Sequence, residues 1–130
     1  MKVLIVEDEF GSRKVMQNYL SPYGTCDNAI NGEEAVDAFR LALRDNEPYD
    51  LICLDIMLPK KDGQHVLKDI RNIEEEQGIR GCGGVKILMT TALNDPKNIM
   101  EAFKSQCEGY LTKPVSKQKL VAELKSLGLI

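Results

Sequence analysis

Four short stretches of this 130-residue chain hold residue types able to act on an anionic oxygen ligand. Glu7-Asp8-Glu9 follows the apolar run Val3-Leu4-Ile5-Val6, and Asp55 follows Leu51-Ile52-Cys53-Leu54. Thr90-Thr91 closes the run that starts at Val85, and Lys113-Pro114 follows Gly109 to Thr112. A carboxylate at one strand end is ordinary, because loop starts are polar. Several carboxylates brought together repel, and each raises its neighbours' pKa unless a cation neutralises them. Hard oxygen ligands around a partly hydrated site suit Mg²⁺, which binds through one or two carboxylates plus phosphate oxygens. Zinc does not fit. His65 is the single histidine, and Cys26, Cys53, Cys82 and Cys107 form no CxxC pair.

The elements that must position these stretches alternate along the chain. Lys2 to Val6 reads as a strand, and Val15, Met16, Tyr19 and Leu20 mark one face of the helix after it. A weak strand over Thr25 to Ala29 precedes a helix opened by Asn31 and Glu34, a capping-box pair, with a stripe of Ala35, Val36, Phe39, Ala42 and Leu43. A third strand reaches Asp55. Beyond a loop through Pro59 and Asp62-Gly63, a helix carries Val66, Leu67, Ile70 and Ile73, with Glu74-Glu75-Glu76 as its solvated acidic end. Gly78 to Gly84 is a loop that exposes Cys82, and Val85 to Thr90 is the fourth strand. Asp95-Pro96 opens a helix whose spacing aligns Ile99, Phe103 and Cys107. A short fifth strand precedes a helix capped by Ser116, with Leu120, Val121, Leu124 and Leu127 inward. Met16, Met89 and Met100 read as core filler, and His65 as a lone surface residue. Strand–helix alternation at this spacing predicts an α/β fold, a doubly wound five-stranded parallel sheet with helices on both faces. Ligands of such sheets bind outside the carboxyl ends of the strands, where all four stretches fall.

Composition narrows the class. Apolar residues make up 43% and charged residues 28%, a globular balance for a single domain over residues 1–130. No apolar run is long enough for a membrane span or a signal peptide, so no membrane partner is expected. A net charge of −3 gives no bulk attraction to nucleic acid. The cysteines read as reduced thiols of a cytoplasmic protein.

Taken together, Val3-Leu4-Ile5-Val6-Glu7-Asp8-Glu9, Leu54-Asp55-Ile56-Met57-Leu58-Pro59 with Asp62-Gly63, Met89-Thr90-Thr91-Ala92 and Gly109-Tyr110-Leu111-Thr112-Lys113-Pro114 resemble the receiver domain of bacterial two-component response regulators, the family of the chemotaxis protein CheY. The resemblance covers the whole chain and implies a flavodoxin-like strand order 2-1-3-4-5. It implies Asp55 as the acceptor of a phosphoryl group from a sensor histidine kinase or phosphotransfer protein. It implies Glu7, Asp8 and Asp55, with the backbone carbonyl of Met57, as Mg²⁺ ligands, and Lys113 as the contact to the phosphoryl oxygens. Thr91, followed by Ala92, aligns with the hydroxyl that senses the phosphoryl group, Tyr110 with the aromatic switch residue, and Lys113-Pro114 with a cis bond. Glu7 departs from the commoner Asp at its position, and the Gly78–Gly84 stretch is longer than usual. Met57 and Leu93 match positions that flank the path of hydrolytic water.

The chemistry of these types agrees. An aspartate is a phosphoryl-accepting nucleophile, and phosphoryl transfer asks for positioning and neutralised charge rather than a strong base. The resemblance implies no enzyme beyond a protein that catalyses its own phosphorylation and dephosphorylation. A dehalogenase-like phosphatase of similar fold, forming an aspartyl-phosphate, is the alternative. It needs a second Asp two residues after the nucleophile, where this chain has Met57. A flavodoxin-like cofactor binder needs a phosphate loop where Glu7-Asp8-Glu9 stands. With no catalytic or DNA-binding module in the sequence, output is expected through a surface. That surface is the fourth helix, fifth strand and fifth helix, about residues 95–127, meeting a protein target or a second copy of the chain.

Overall fold

The computed structural model describes residues 1–79, 83–91 and 96–130. In chain order the elements are β1 (Lys2–Val6), α1 (Phe10–Leu20), β2 (Thr25–Ala29), α2 (Gly32–Arg44), β3 (Leu51–Asp55), α3 (Gly63–Glu76), β4 (Lys86–Thr91), α4 (Pro96–Lys104), β5 (Gly109–Thr112) and α5 (Lys117–Ser126). The strands form one parallel sheet in the order β2-β1-β3-β4-β5, as expected.

Every residue of β3 is buried, and every residue of β1 and β4 but the first. This is why those strands read as unbroken apolar runs: helices cover both faces. The period of two sends Leu4, Val6, Ile52, Leu54, Ile87 and Met89 into one layer, with Phe39, Leu67 and Ile70 from α2 and α3. Val3, Ile5, Leu51, Cys53 and Leu88 enter the other, with Leu20, Leu120 and Leu124 from α1 and α5. β2 lies at the sheet edge and buries only Ala29, so its signal was weak.

Local caps follow their sequence signals. Asn31 Oδ1 accepts from Glu34 N at 2.9 Å, and Ser116 Oγ accepts from Lys119 N at 3.1 Å. Glu34 reaches back to Ile30 N at 3.3 Å, one residue before the expected return bond.

Several expectations are corrected. Val15 lies off the buried stripe and is 42% exposed, and Met100 is 71% exposed on α4, so neither is core. Glu74 is buried: successive helical residues point about 100° apart, and this one turns inward to Arg71 and the start of β4. Cys107 is buried but lies beyond α4 rather than on it. His65 is exposed as expected, but its Nδ1 sits 3.1 Å from Asp62 Oδ1. The predicted Asp95 cap, the Cys82 loop thiol and Leu93 lie outside the described residues.

Register brings the four stretches to one edge. Val6 pairs with Leu54, Asp55 with Thr90, and Thr91 with Thr112. The loop after Asp55 then folds back, with Gly63 N donating to Ile56 O at 2.8 Å. A Cβ at Gly63 would lie 2.3 Å from Asp55 O, so only glycine allows α3 to start this close to the site.

Candidate functional site

Glu7 is the first residue after β1, Asp55 the last of β3, and both are buried beneath the exposed Asp8. One carboxylate oxygen from each of the three lies within 4.8 Å of the others. Charge alone would drive this group apart, and Lys113, just after β5, opposes that. Its Nζ donates to Asp55 Oδ2 at 2.8 Å and to Glu7 Oε1. The Lys113-Pro114 peptide bond is cis, as the resemblance implied. The other Asp55 oxygen, Oδ1, accepts from Met57 N at 3.1 Å. Both Asp55 oxygens are therefore oriented before any ligand arrives.

Glu7 is poised differently. Burial first, then the neighbouring Asp55 carboxyl, pushes its carboxyl above the usual range, against the opposing pull of Lys113. For Lys113, burial works to lower the pKa, but the bonds to Asp55 and Glu7 outweigh it and hold the ammonium above the ordinary lysine value. Glu7 Oε2 is buried with no hydrogen-bond partner. An orphaned carboxylate oxygen beside two further oxygen donors is the environment a hard divalent cation satisfies. The donor set fits Mg²⁺.

The turn that carries Glu7 and Asp8 is held from below. Arg13 Nη1 donates to Glu7 O at 3.1 Å, and its guanidinium lies 5.5 Å from the Phe10 ring centre. Sequence reading missed this residue. Its signal is a cation in the first turn of a helix, where the macrodipole disfavours one. Glu9 caps α1, accepting from Gly11 N at 3.0 Å and Ser12 N at 3.1 Å. The hydroxyl and amide of Ser12 hold its carboxyl below the usual range.

Thr91 closes β4 and is buried; the strand period places it on the side of Met89, the side that α4 covers through Ala102. Tyr110 is half-buried on the same side, its ring edge-on to Phe103 with centroids 6.1 Å apart. Thr91 and Tyr110 thus share one face next to α4. The Met57 side chain is 70% exposed at the lip of the site, and Phe10 is 69% exposed. A groove of about 460 Å³ runs from Glu7 and Lys113 along α1, lined by Val15, Met16, Tyr19 and Val115.

The sequence profile of the response regulator receiver domain matches residues 3–125. The transcriptional regulatory protein ResD of Bacillus subtilis is 33% identical over 127 residues, covering 97% of this chain and 47% of ResD. The probable transcriptional regulator ycf27 of Guillardia theta is 35% identical, covering 97% of this chain and 44% of that protein. The chain thus spans about half the length of the curated relatives it matches. Among solved structures, the co-crystal of the Saccharomyces cerevisiae histidine phosphotransfer signaling protein Ypd1 with the receiver domain of its downstream response regulator Ssk1 gives a TM-score of 0.84 at 32% identity, covering 98% of this chain and 88% of the other. The Vibrio cholerae chemotaxis protein CheY4 gives 0.80 at 25% identity, with 97% of each chain covered.

Proposed function

The chain belongs to the response regulator receiver domain family of two-component signalling, and from that premise we propose that residues 1–130 act as one phosphoacceptor switch with Asp55 as the acceptor. The observation that carries this reading is the shared grip of Lys113 on Glu7 and Asp55, beside an orphaned Glu7 oxygen. In this reading an Asp55 oxygen attacks the phosphorus of a phosphohistidine. The P–N bond breaks, an O–P bond forms, and the imidazole leaves. Glu7, Asp8 and Asp55 would hold Mg²⁺ with the Met57 carbonyl, and the ion would supply neutralising charge to the phosphoryl group. Lys113 supplies the rest of that charge and Thr91 a hydroxyl donor. The protein turns over nothing but its own phosphorylation and dephosphorylation.

The donor in this proposal is a sensor histidine kinase or a phosphotransfer protein in the cytoplasm. Exposed Phe10 and Met57 offer it an apolar rim, and the Ypd1–Ssk1 complex supports such a partner by analogy. The phosphoryl group carries roughly −1.5 to −2 charge and three acceptor oxygens, in place of the single negative charge of the Asp55 carboxylate. Thr91 and Tyr110 relay this to the α4-β5-α5 face, which meets a protein target or a second copy of the chain. No nucleic acid or membrane contact enters the proposal. Among the described residues no helix is long and apolar enough to cross a membrane.

Intact mass after treatment with a small-molecule phosphodonor tests the acceptor. One phosphoryl adduct is expected with Mg²⁺, little without it, and none in Asp55→Asn. An undiminished adduct in that variant would overturn the assignment. Lifetime gives a second test. Met57 is apolar and cannot orient a water, so Met57→Asn is expected to hasten decay of the adduct; equal or slower decay counts against it.

A further inference from the structure

We propose that Gln64 is a latch between the Asp55 loop and α4, a bond whose release lets α4 pivot about its C-terminal end. The proposal rests on the reading of Asp55 as phosphoacceptor and α4 as part of the output face.

Only Ile99 and Ala102 of α4 are buried, so apolar packing holds this helix weakly. Besides the edge-on contact of Phe103 with Tyr110, three polar ties reach it from α3, at positions 64, 68 and 71, spaced four and three apart along one helical face. They are graded in strength. At the base, Arg71 Nε donates to Gln106 O at 3.0 Å, just past α4, and its Nη2 grips both oxygens of Glu108 at 2.9 and 3.0 Å. In the middle, Lys68 meets Glu101 at 3.2 Å, with both side chains nearly half exposed, a geometry that holds little in water. At the top, Gln64 Nε2 donates one neutral bond to Asn98 O at 2.8 Å. Gln64 is 6% exposed, and its Oε1 is buried with no partner.

The resting contact therefore leaves half of a buried amide unsatisfied, so an alternative placement of Gln64 gives up little. The base, by contrast, is fixed by charge. Gln64 also follows Gly63, whose backbone lies against the Asp55 carbonyl. Movement of the loop on phosphorylation reaches Gln64 before any other α3 residue that ties α4. This is a two-state element that both the site and α4 can bias. It lies on α3, apart from the Thr91–Tyr110 relay.

Amide hydrogen exchange and chemical shifts of the whole chain test it, using Gln64→Met and Gln64→Glu, with beryllofluoride and Mg²⁺ as the phosphoryl mimic. Gln64→Met removes the donor at similar volume. Gln64→Glu sets an acceptor against the Asn98 carbonyl. Exchange across residues 98–104 is expected to rise roughly two- to tenfold in the first, the value of one net hydrogen bond, and further in the second. Residues 107 and 108 should stay at wild-type protection. The α4 shift caused by the mimic should shrink in Gln64→Met, because the helix is already released. Unchanged α4 exchange in both variants overturns the latch, as does an equal rise at 107 and 108, which would mean general loosening. A wild-type chain whose Asp55 amide ignores beryllofluoride would overturn the phosphoacceptor reading instead; the exchange results then still judge the latch bond itself.

Discussion

Arg71→Met is expected to lower the unfolding free energy by about 3–5 kcal/mol, the cost of breaking a buried ion network by removing one partner. The Arg71 side chain is 13% exposed, and its Nη1 donates to Glu74 Oε1 at 2.6 Å and Val85 O at 2.9 Å. Its Nη2 grips both oxygens of Glu108. The two carboxylates are engaged in turn: Glu74 Oε2 accepts from Val85 N at 2.7 Å, and Glu108 Oε2 from Ile87 N at 2.6 Å. One guanidinium thus joins α3, the start of β4 and the connection into β5. Without it, two carboxylates face each other with no cation. Methionine fills the aliphatic volume, so the loss reports charge rather than a cavity. Urea unfolding measures it, and Arg71→Met/Glu74→Leu should recover part of the loss because it removes one stranded charge. A loss below about 1 kcal/mol in Arg71→Met would show that the network behaves like a solvated surface pair.

Neither the burial of Glu74 nor the place of Arg71 was legible in the sequence. Glu74-Glu75-Glu76 reads as a solvated charge run, and only the fold supplies the β4 amide and the guanidinium that draw one of the three inward. Val15 and Met100 misled for the converse reason. An apolar residue at the edge of a helical stripe carries the same local signal whether the neighbouring layer reaches it or not. What the sequence did carry was local or topological. The Asn31 and Ser116 caps depend on residues three apart. The sheet order and the gathering of Glu7, Asp8, Asp55, Thr91 and Lys113 at one edge depend on strand–helix alternation, which leaves few arrangements open. The Mg²⁺-type donor set was legible by type. The direct bond from Lys113 to Glu7 was not, because it joins side chains 106 residues apart in the chain.

That bond leads to the second large effect. Lys113→Met is expected to make stability fall more steeply with rising pH than in the wild type, and Mg²⁺ is expected to restore much of the loss. The sign follows from Glu7, whose pKa is raised in the folded chain. A raised carboxyl favours folding most when protonated. Its contribution is complete below the unfolded value and is lost as pH rises through the folded one. In the wild type the ammonium, whose side chain is 23% exposed, limits that loss by pulling the Glu7 pKa down. Without it, burial and Asp55 act unopposed, the folded pKa rises further, and the loss grows and extends toward neutral pH. Lys113 has its own raised pKa, so its contribution is present below the ordinary lysine range and is lost only in strong alkali. Near neutral pH, therefore, the wild type keeps what the variant lacks. Urea unfolding at about pH 5 and about pH 8 should show a gap between the two proteins that widens at the higher value. Mg²⁺ at a hundredfold excess over its Kd adds about 2.7 kcal/mol to whichever folded chain binds it. The variant should bind it at least as well as the wild type, because no ammonium competes for Glu7 and Asp55, while its response to a phosphodonor falls. An equal gap at both pH values would show that Lys113 is not the cation that holds these carboxylates together.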